Sequence, residues 1–363
     1  MIRGIVRWLR ARREAKLIPA KKAILGAERM IAVDVGSAEG LQPHWHSYQG
    51  IVDFYLFEPH QESCEKLRSI VSSYPYASQF HILPIGLSEF GGERTLYILN
   101  YPTGSSIYAI NAESEFASPD NSYVFPIREE KIQTDFLDNV LNQHKVDCVD
   151  IIKLDVQGAE LEVLRGMGDN RGKQLLLAEV EVNLCTGVTD NIGPYHGAPS
   201  WGQIDELFVS NGMRLLDLSV AREYRSKAGD SDWYQRNIFD VYENSPSLSA
   251  RVWEADVVYV RDWRQLIASN NAAAIRKLAV ALCGYRFFSE AYFMIEKAEE
   301  AGIFEVEAAN AIKHNIAVWH RANRNFWQGR GAFWGGIRSI LRAMRISQLL
   351  RWKQYMWFDY PNG

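Results

Sequence analysis

The stretch Ile31-Ala-Val-Asp34-Val-Gly36-Ser37-Ala-Glu-Gly40 decides the fold. It is an apolar strand that ends in a glycine-bearing turn, which lets backbone N–H groups approach a ligand closely. A dinucleotide-binding protein would place G-x-G-x-x-G here to receive a pyrophosphate, but Asp34 stands where the first glycine is expected. A carboxylate repels a pyrophosphate and attracts the ammonium of a methionine moiety. The stretch therefore favours S-adenosylmethionine (SAM) over NAD, with Asp34, Gly36, Ser37 and Gly40 as cofactor-binding residues.

A second acid follows at the end of the next apolar run. Phe54-Tyr-Leu-Phe57-Glu58-Pro59 reads as a strand whose last residues are an acid and a proline, and Glu58 comes 22 residues after Gly36. A carboxylate at the tip of the second strand is placed to accept both ribose hydroxyls of an adenosine. The alternative is an exposed glutamate at a strand end. We predict that Glu58 and Pro59 belong to the cofactor site.

A third motif places an acid at the end of another strand. In Asp150-Ile-Ile-Lys-Leu-Asp155-Val-Gln-Gly158 an apolar run ends in Asp155 and enters a helical pattern through Gly158. Ligands of doubly wound sheets lie at the carboxyl ends of the strands, so Asp155 is predicted to face the same crevice as Asp34 and Glu58. The alternative is an acid that only caps the following helix.

Short apolar runs continue along the chain and alternate with helical patterns, which indicates βαβ units and a mostly parallel sheet covered on both faces. We predict an α/β fold, a doubly wound Rossmann-like sheet of seven strands. The runs are Met30–Val35, Phe54–Phe57, His81–Leu87, Val149–Leu154, Gln174–Val182, Met213–Val220 and Val257–Val260.

The same patterns divide the chain into three regions. Residues 1–27 form a basic amphipathic helix, residues 28–262 the sheet domain, and residues 263–363 a helical extension with helices at 264–283, 286–301 and 304–320. The domain carries two insertions, 88–148 and 221–254. The first begins with a predicted hairpin that turns at Gly91-Gly92 and returns over Thr95–Leu99.

Taken together, the motifs resemble the FkbM-type family of SAM-dependent methyltransferases over about residues 28–262. The resemblance rests on V-D-V-G-x-x-x-G, F-E-P and above all I-K-L-D-V-Q-G-A-E-L-E-V-L-R-G. Supporting matches are Gly86-Leu-Ser88, Gly104-Ser-Ser106, Thr134-Asp-Phe-Leu-Asp138 and Glu179-Val-Glu181. It implies a class I methyltransferase sheet, with Gly86 and Ser88 added to the cofactor site. Three features depart from the family pattern: the segment His44-Trp45-His46, the 221–254 insertion and the C-terminal helices.

The resemblance also implies an activity, methylation of a hydroxyl on a sugar, glycan or polyketide. We expect an O-methyltransferase with a sugar or glycan acceptor of the surface-polysaccharide kind. The alternatives are a methyltransferase of a small lipid or polyketide-like molecule, and an inactive SAM-binding partner module. No N/D-P-P-Y/F motif is present and the body of the chain is acidic, so we expect no nucleic-acid substrate.

An alcohol acceptor must lose its proton as its oxygen attacks, which calls for a general base. The predicted catalytic residues are Asp155, Glu181, His44 and His46, with Glu160 and His196 also within reach of the crevice. Asp155 with Glu179 or Glu181 offers hard oxygen ligands for Mg²⁺, but we expect no metal. His44 and His46 are two residues apart and point to different faces of a helix, which does not suit a shared metal ion.

Charge is distributed unevenly. Residues 1–22 carry eight Lys/Arg and one Glu, and residues 321–363 carry eight Lys/Arg and one Asp, so each end has a net charge of +7. The 298 residues between them then sum to −18. The ends also carry apolar stripes, Ile2/Val6/Leu9 and Ile337/Leu341/Met344. With four scattered cysteines and no spanning segment, we expect a cytoplasmic protein whose basic ends either touch a membrane or pack on the acidic body.

Overall fold

The computed structural model describes the backbone of residues 2–38, 40, 42–100, 102–111, 114, 125–184, 193–223 and 251–343. Backbone contacts divide the chain into two units. The sheet unit comprises 29–40 and 52–266, and the helical unit comprises 1–28, 41–51 and 267–363. Residues 41–51, which the sequence placed in the methyltransferase domain, thus group with the terminal helices. Most of the 221–254 insertion lies outside the described residues, as do the side chains of the two terminal stripes.

The sheet unit contains a seven-stranded sheet formed by β1 (Met30–Val35), β2 (Val52–Phe57), β3 (Phe80–Leu83), β7 (Ile151–Leu154), β8 (Leu177–Asn183), β9 (Met213–Glu223) and β10 (Arg251–Arg261). The strand order in this sheet is β3-β2-β1-β7-β8-β10-β9. Strands β1, β2, β3, β7 and β8 are parallel, and β10 runs antiparallel to both β8 and β9. The predicted fold is confirmed, and each of the seven apolar runs overlaps a strand of this sheet. The run His81–Leu87 is not a single strand, however, because its strand ends at Leu83 and Gly86–Leu87 belongs to a second sheet.

The two faces of the central strands differ in chemistry. Because successive side chains alternate between faces, Val33, Ile152 and Val180 point to one side, where they join a single apolar cluster with residues of the covering helices such as Leu161 and Phe208. The other face is apolar near the amino ends of the strands and charged near their carboxyl ends. Strand order reverses between β1 and β7, and a crevice forms at such a switch point. The fold thus brings the charged ends to one place.

A second, three-stranded sheet has the order β4-β6-β5, formed by β4 (Gly86–Leu87), β5 (Gly92–Leu99) and β6 (Pro126–Asp135). The predicted return strand exists, but the predicted hairpin is wrong. β5 pairs antiparallel with β6, and β6 also pairs parallel with β4, so β6 lies between the two segments expected to pair with each other. The charged run Arg128-Glu-Glu-Lys131 of β6 faces mostly solvent and therefore gives no apolar signal.

Helices of the sheet unit flank these sheets. They are α2 (Gln61–Ser72), α3 (Leu137–Gln143), α4 (Glu160–Arg165), α5 (Asp169–Gln174), α6 (Trp201–Ser210) and α7 (Trp263–Ala268), with short 3-10 helices at Ala77–Gln79 and Pro102–Gly104.

The helical unit is built from α1 (Ile2–Leu25), a 3-10 helix at Pro43–Tyr48, α8 (Ala272–Gly284), α9 (Phe288–Glu300) and α10 (Val306–Ala343). Helices lie at both ends of the chain as expected, with two differences: the single helix predicted for 264–283 is two, α7 and α8, and the helix predicted for 304–320 continues to Ala343 in α10. The break falls at Asn270, which has a left-handed φ of 53°, and Asn271 caps α8 by accepting a hydrogen bond from the Ala274 amide. No helix of the described chain is long and apolar enough to cross a membrane.

Candidate active site

The turn after β1 brings two strands into close backbone contact. Gly36 has a φ of 89°, in the left-handed region that favours glycine, and its amide donates to the Phe57 carbonyl at 3.1 Å. A β-carbon at Gly36 would overlap the Asp155 carbonyl oxygen, and the Asp155 amide donates to Val35 at 3.1 Å. The turn therefore joins the carboxyl ends of β1, β2 and β7.

The remaining predicted residues of this turn hold its shape. The Ser37 hydroxyl donates to the Asp34 carbonyl at 3.0 Å, and the Gly40 amide donates to the Ser37 carbonyl at 3.0 Å. Gly40 also has a left-handed φ, 93°. Asp34 itself is buried, with 1% of its surface exposed. Asp34 is thus a buried residue of β1, two positions before Gly36, and its role as the partner of a ligand ammonium stays a prediction.

Glu58 lies at the tip of β2, 5% exposed. Burial raises the pKa of its carboxyl to about 7, although the His60 amide donates to Oε1 at 2.9 Å and opposes the rise. Its amide is held by the Leu83 carbonyl at 3.2 Å, and Pro59 follows, half-buried. The structure therefore places the second predicted acid at the same edge of the sheet as Asp34.

Asp155 and Glu181 form a pair of hydrogen-bonded carboxyl groups at the ends of β7 and β8. Burial pushes the pKa of both upward. For Asp155 the charge of Lys153, 3.0 Å from Oδ2, and hydrogen bonds from Gln157 and Glu181 outweigh burial and hold the pKa below its usual value. For Glu181 the neighbouring carboxylates add to burial and raise the pKa well above its usual value. The surroundings therefore favour the charged form of Asp155 and the neutral form of Glu181.

Gln157 connects this pair to a cleft. Its amide nitrogen donates to Asp155 at 3.0 Å and to Glu181 at 2.5 Å, and its amide oxygen lies 2.7 Å from the Tyr195 hydroxyl. Its backbone has a left-handed φ of 56°, which is uncommon outside glycine and is fixed here by the Ser106 hydroxyl, a donor to the Gln157 carbonyl at 2.7 Å. The cleft is lined by Gln157, Gly158, Glu160, Glu181, Val182, Asn183, Pro194, Tyr195, Ala198, Pro199, Ile204 and Glu254.

Glu160 begins α4 at the back of the cleft. Its carboxylate accepts hydrogen bonds from the amides of Val156 at 3.0 Å and Gly158 at 3.0 Å. Burial nevertheless raises its pKa to about 7. The residue both shapes the loop between β7 and α4 and places a second titratable acid at the cleft.

Two predicted cofactor residues lie in the small sheet. Ser88 is fully buried and its hydroxyl donates to Thr134 Oγ1 at 3.2 Å, while a β-carbon at Gly86 would lie 2.9 Å from Thr134 Cγ2. These contacts account for a small residue at each position by the packing of β4 against β6. A role of Gly86 and Ser88 in cofactor binding stays a prediction.

The two predicted histidines lie in the helical unit. The His44 ring is 4.7 Å from the Tyr285 ring, centroid to centroid, and His46 Nδ1 is 2.7 Å from Gln49 Nε2. Tyr48, in the same 3-10 helix, donates to the Ala281 carbonyl at 2.6 Å. The segment that departs from the expected pattern is thus joined to α8. Catalysis by His44 or His46 stays a prediction. His196 lies in the sheet unit, where its amide donates to the Ala109 carbonyl at 2.9 Å.

The geometry of the β1 and β2 ends fits SAM. The turn after β1, in which Gly36 and Gly40 have left-handed backbones, lies beside a buried acid, Asp34, suited to an ammonium, and Glu58 supplies an acceptor suited to ribose hydroxyls. Comparison with known families agrees, since the sequence pattern of the methyltransferase FkbM domain matches residues 34–215. The chain belongs to the FkbM methyltransferase family.

Solved structures similar to this FkbM methyltransferase are distant. The methyltransferase FkbM of Methylobacillus flagellatus KT has 14% identity and a TM-score of 0.33, over 65% of this chain and 45% of that one, so the match spans less than half of its length. The StiE O-MT has 10% identity, a TM-score of 0.32 and coverages of 67% and 74%. Precorrin-6y C5,15-methyltransferase of Geobacter metallireducens GS-15 has 9% identity, a TM-score of 0.30 and coverages of 69% and 87%. No curated protein matches the chain.

Three residues of the candidate site were not predicted. Lys153 and Gln157 belong to the quoted third motif, and Tyr195 comes from a loop with no motif of its own. Alternation offered a signal for Lys153, because a charged residue two positions before Asp155 in a buried strand must share its face. The left-handed backbone of Gln157 and the contact of Tyr195 depend on tertiary structure and left no trace in the sequence.

Proposed function

We propose that the chain is a SAM-dependent O-methyltransferase whose acceptor is a hydroxyl of a sugar or glycan. The observation that carries the proposal is the hydrogen-bonded carboxyl pair Asp155–Glu181 beside the cleft, at the same sheet edge as Asp34 and Glu58. Methyl transfer needs a positioned acceptor oxygen and a group that takes its proton. Both requirements have candidates here.

Asp155 is the proposed base. As the ionised member of the pair it can accept a hydrogen bond, and then the proton, from an acceptor hydroxyl. Glu181 and Gln157 hold its orientation by donating to it. SAM, when bound by Asp34, the Gly36 turn and Glu58, supplies an electrophilic methyl group. The residues of this chain then have to align the acceptor hydroxyl with that methyl group.

The lining of the cleft supports a sugar as the acceptor. Asn183, Gln157, Tyr195 and Glu254 offer hydrogen-bonding groups of both kinds, which suits a ring with several hydroxyls. The twelve described lining residues include no Lys or Arg. The cleft therefore supports a neutral acceptor over an anionic one.

Transfer of a labelled methyl group from SAM across a panel of acceptors tests the proposal. The panel contains neutral polysaccharides, lipid-linked sugars, uronic-acid polymers, and polyketide-like alcohols. We expect label in a neutral glycan fraction, stable to mild base as an ether is and a methyl ester is not. Label only in the lipid or polyketide fractions would replace the acceptor class. Cofactor binding without transfer to any acceptor would favour an inactive SAM-binding module.

A further inference from the structure

One buried cation lies among the carboxylates of the site. Lys153 is in the middle of β7, 4% exposed, and register pairs it with Asp34 on β1 and with Glu179 on β8. Register partners in adjacent parallel strands project to the same face, and so does the residue two positions along. Asp34, Glu179, Asp155 and Glu181 therefore share the face from which Lys153 projects.

These acids belong to different parts of the site. Asp34 is part of the predicted cofactor motif, two positions before Gly36, whereas Glu181, to which Asp155 is hydrogen-bonded, lines the cleft. The Lys153 ammonium bonds Asp155 Oδ2 at 3.0 Å, and Asp34 is its register neighbour on the other side. Glu160 on α4 and Glu254 on β10 are the further acids near Glu181. Among these described groups the only cation is Lys153.

We propose that Lys153 is a positioning residue that keeps Asp34 and Asp155 ionised together, so that one buried charge prepares both the cofactor edge and the cleft. The physical reason is that a buried carboxylate without a counter-charge becomes protonated instead of remaining charged. Burial opposes the charge of Lys153 itself, but Asp155, Asp34 and Glu179 outweigh burial and raise its pKa. The lysine thus stays protonated throughout the physiological range.

The inference rests on the proposed SAM site, and proton counting during SAM binding tests it. Titration calorimetry in buffers of different ionisation enthalpy gives the number of protons released. In Lys153→Met, Asp34 is expected to be protonated before binding and to ionise against the cationic ligand. We expect the number released at pH 7 to rise by about one over the unmodified chain. Lys131→Met, which removes an exposed lysine of β6, is the control and should release the same number as the unmodified chain.

Unfolding experiments on the variants show whether a changed result comes from loss of structure. If Lys153 compensates Asp155, the double variant Lys153→Met/Asp155→Asn should be more stable than Lys153→Met alone, because it removes the carboxylate that lost its partner. An unchanged proton count in folded Lys153→Met overturns the inference, as does failure of both variants to fold. If the unmodified chain binds no SAM, the proposed function fails instead, which distinguishes the two.

Discussion

Glu58 combines a predicted role in binding with a pKa that burial raises to about 7. The free protein then carries a mixture of protonated and ionised Glu58 at neutral pH. Ribose hydroxyls are donors and favour the ionised carboxyl, so SAM binding should displace a proton from it. The affinity for SAM should therefore decrease as the pH falls through 7.

We therefore expect SAM to bind about tenfold more weakly at pH 6 than at pH 8, the change that one group of pKa near 7 produces. Glu58→Gln should bind at least about tenfold more weakly at pH 8 and lose most of this pH dependence. Titration calorimetry measures both. Glu62→Gln, an exposed acid in the first turn of α2, is the matched control. A pH profile that survives in Glu58→Gln would assign the dependence to another group, such as Glu160.

Substitution of Asp155 tests the chemical step separately from cofactor binding. Asp155→Asn keeps the shape of the side chain but removes the negative charge that accepts a proton. We expect turnover to fall by about 10²-fold or more while SAM affinity stays within a few-fold of the original. Initial rates with the acceptor found in the panel, together with calorimetry, check this. Glu129→Gln on the exposed face of β6 should leave both unchanged, and near-normal turnover of Asp155→Asn would remove Asp155 from the proposed mechanism.

At this scale the sequence predicted the residues that end strands and missed those that only tertiary structure brings together. Asp34, Glu58 and Asp155 each follow an apolar run, and the fold rule for parallel sheets places them at one edge. Tyr195 reaches Gln157 across 38 positions of chain, and nothing in its own neighbourhood announces the contact.

Among the elements, the turn after β1 can be tested most sharply, because Gly36 in this turn and Gly92 have nearly the same φ but different surroundings. Gly36 has a φ of 89° and a β-carbon there would overlap Asp155, whereas Gly92 has a φ of 94° and no heavy atom within 4 Å of the β-carbon position. Both Gly36→Ala and Gly92→Ala incur the left-handed backbone cost of about 1–2 kcal/mol.

Only Gly36→Ala adds a steric clash, which costs about 1–3 kcal/mol more in a packed site. We expect its free energy of unfolding in urea to be lower than that of Gly92→Ala by that amount, and its SAM binding to be lost. Gly92→Ala should bind SAM normally. Equal destabilisation of the two variants would show that the close contact between the β1 turn and β7 does not constrain the fold.

The elements that were predicted and those that were not differ in where their side chains lie. The central strands of the large sheet are buried and read as apolar runs, whereas β6 has exposed side chains at Arg128 and Glu129 and pairs with a strand on each of its sides. β6 is separated from β5, its antiparallel partner, by residues of the 88–148 insertion, so this pairing cannot be read from the local sequence. Gly91-Gly92 predicted a local hairpin, but β5 pairs with β6 instead.

At the scale of the whole chain, the two ends of net charge +7 have two interpretations, contact with a membrane or packing on the acidic body. The second half of α1 packs inside the helical unit, since Leu17, Ile24 and Leu25 are buried and Lys21 forms a buried ion pair with Glu14 at 2.6 Å. The arginines at 3, 7 and 10 precede this part. They are the group to test for contact with an anionic surface.

We expect the full chain to sediment with anionic vesicles and not with neutral ones, less so at high salt. Replacing Arg3, Arg7 and Arg10 by Gln removes about 1 kcal/mol each and should weaken binding about 100-fold. Replacing Lys66, Arg68 and Lys131 of the sheet unit is the control for total charge. Full-length protein that ignores anionic vesicles at low salt would rule out the membrane role of these ends.

The helical unit has a consequence for how the protein is made. Its parts are three separate pieces of chain, 1–28, 41–51 and 267–363, and α1 packs against α8 and α10. A ribosome makes α8 and α10 only after more than 240 residues have followed α1. During that interval the part of the apolar face of α1 that these two helices cover is exposed, the state in which nascent chains recruit chaperones. We therefore expect a polypeptide that stops before residue 267 to be bound by chaperones or degraded, even if its sheet unit folds.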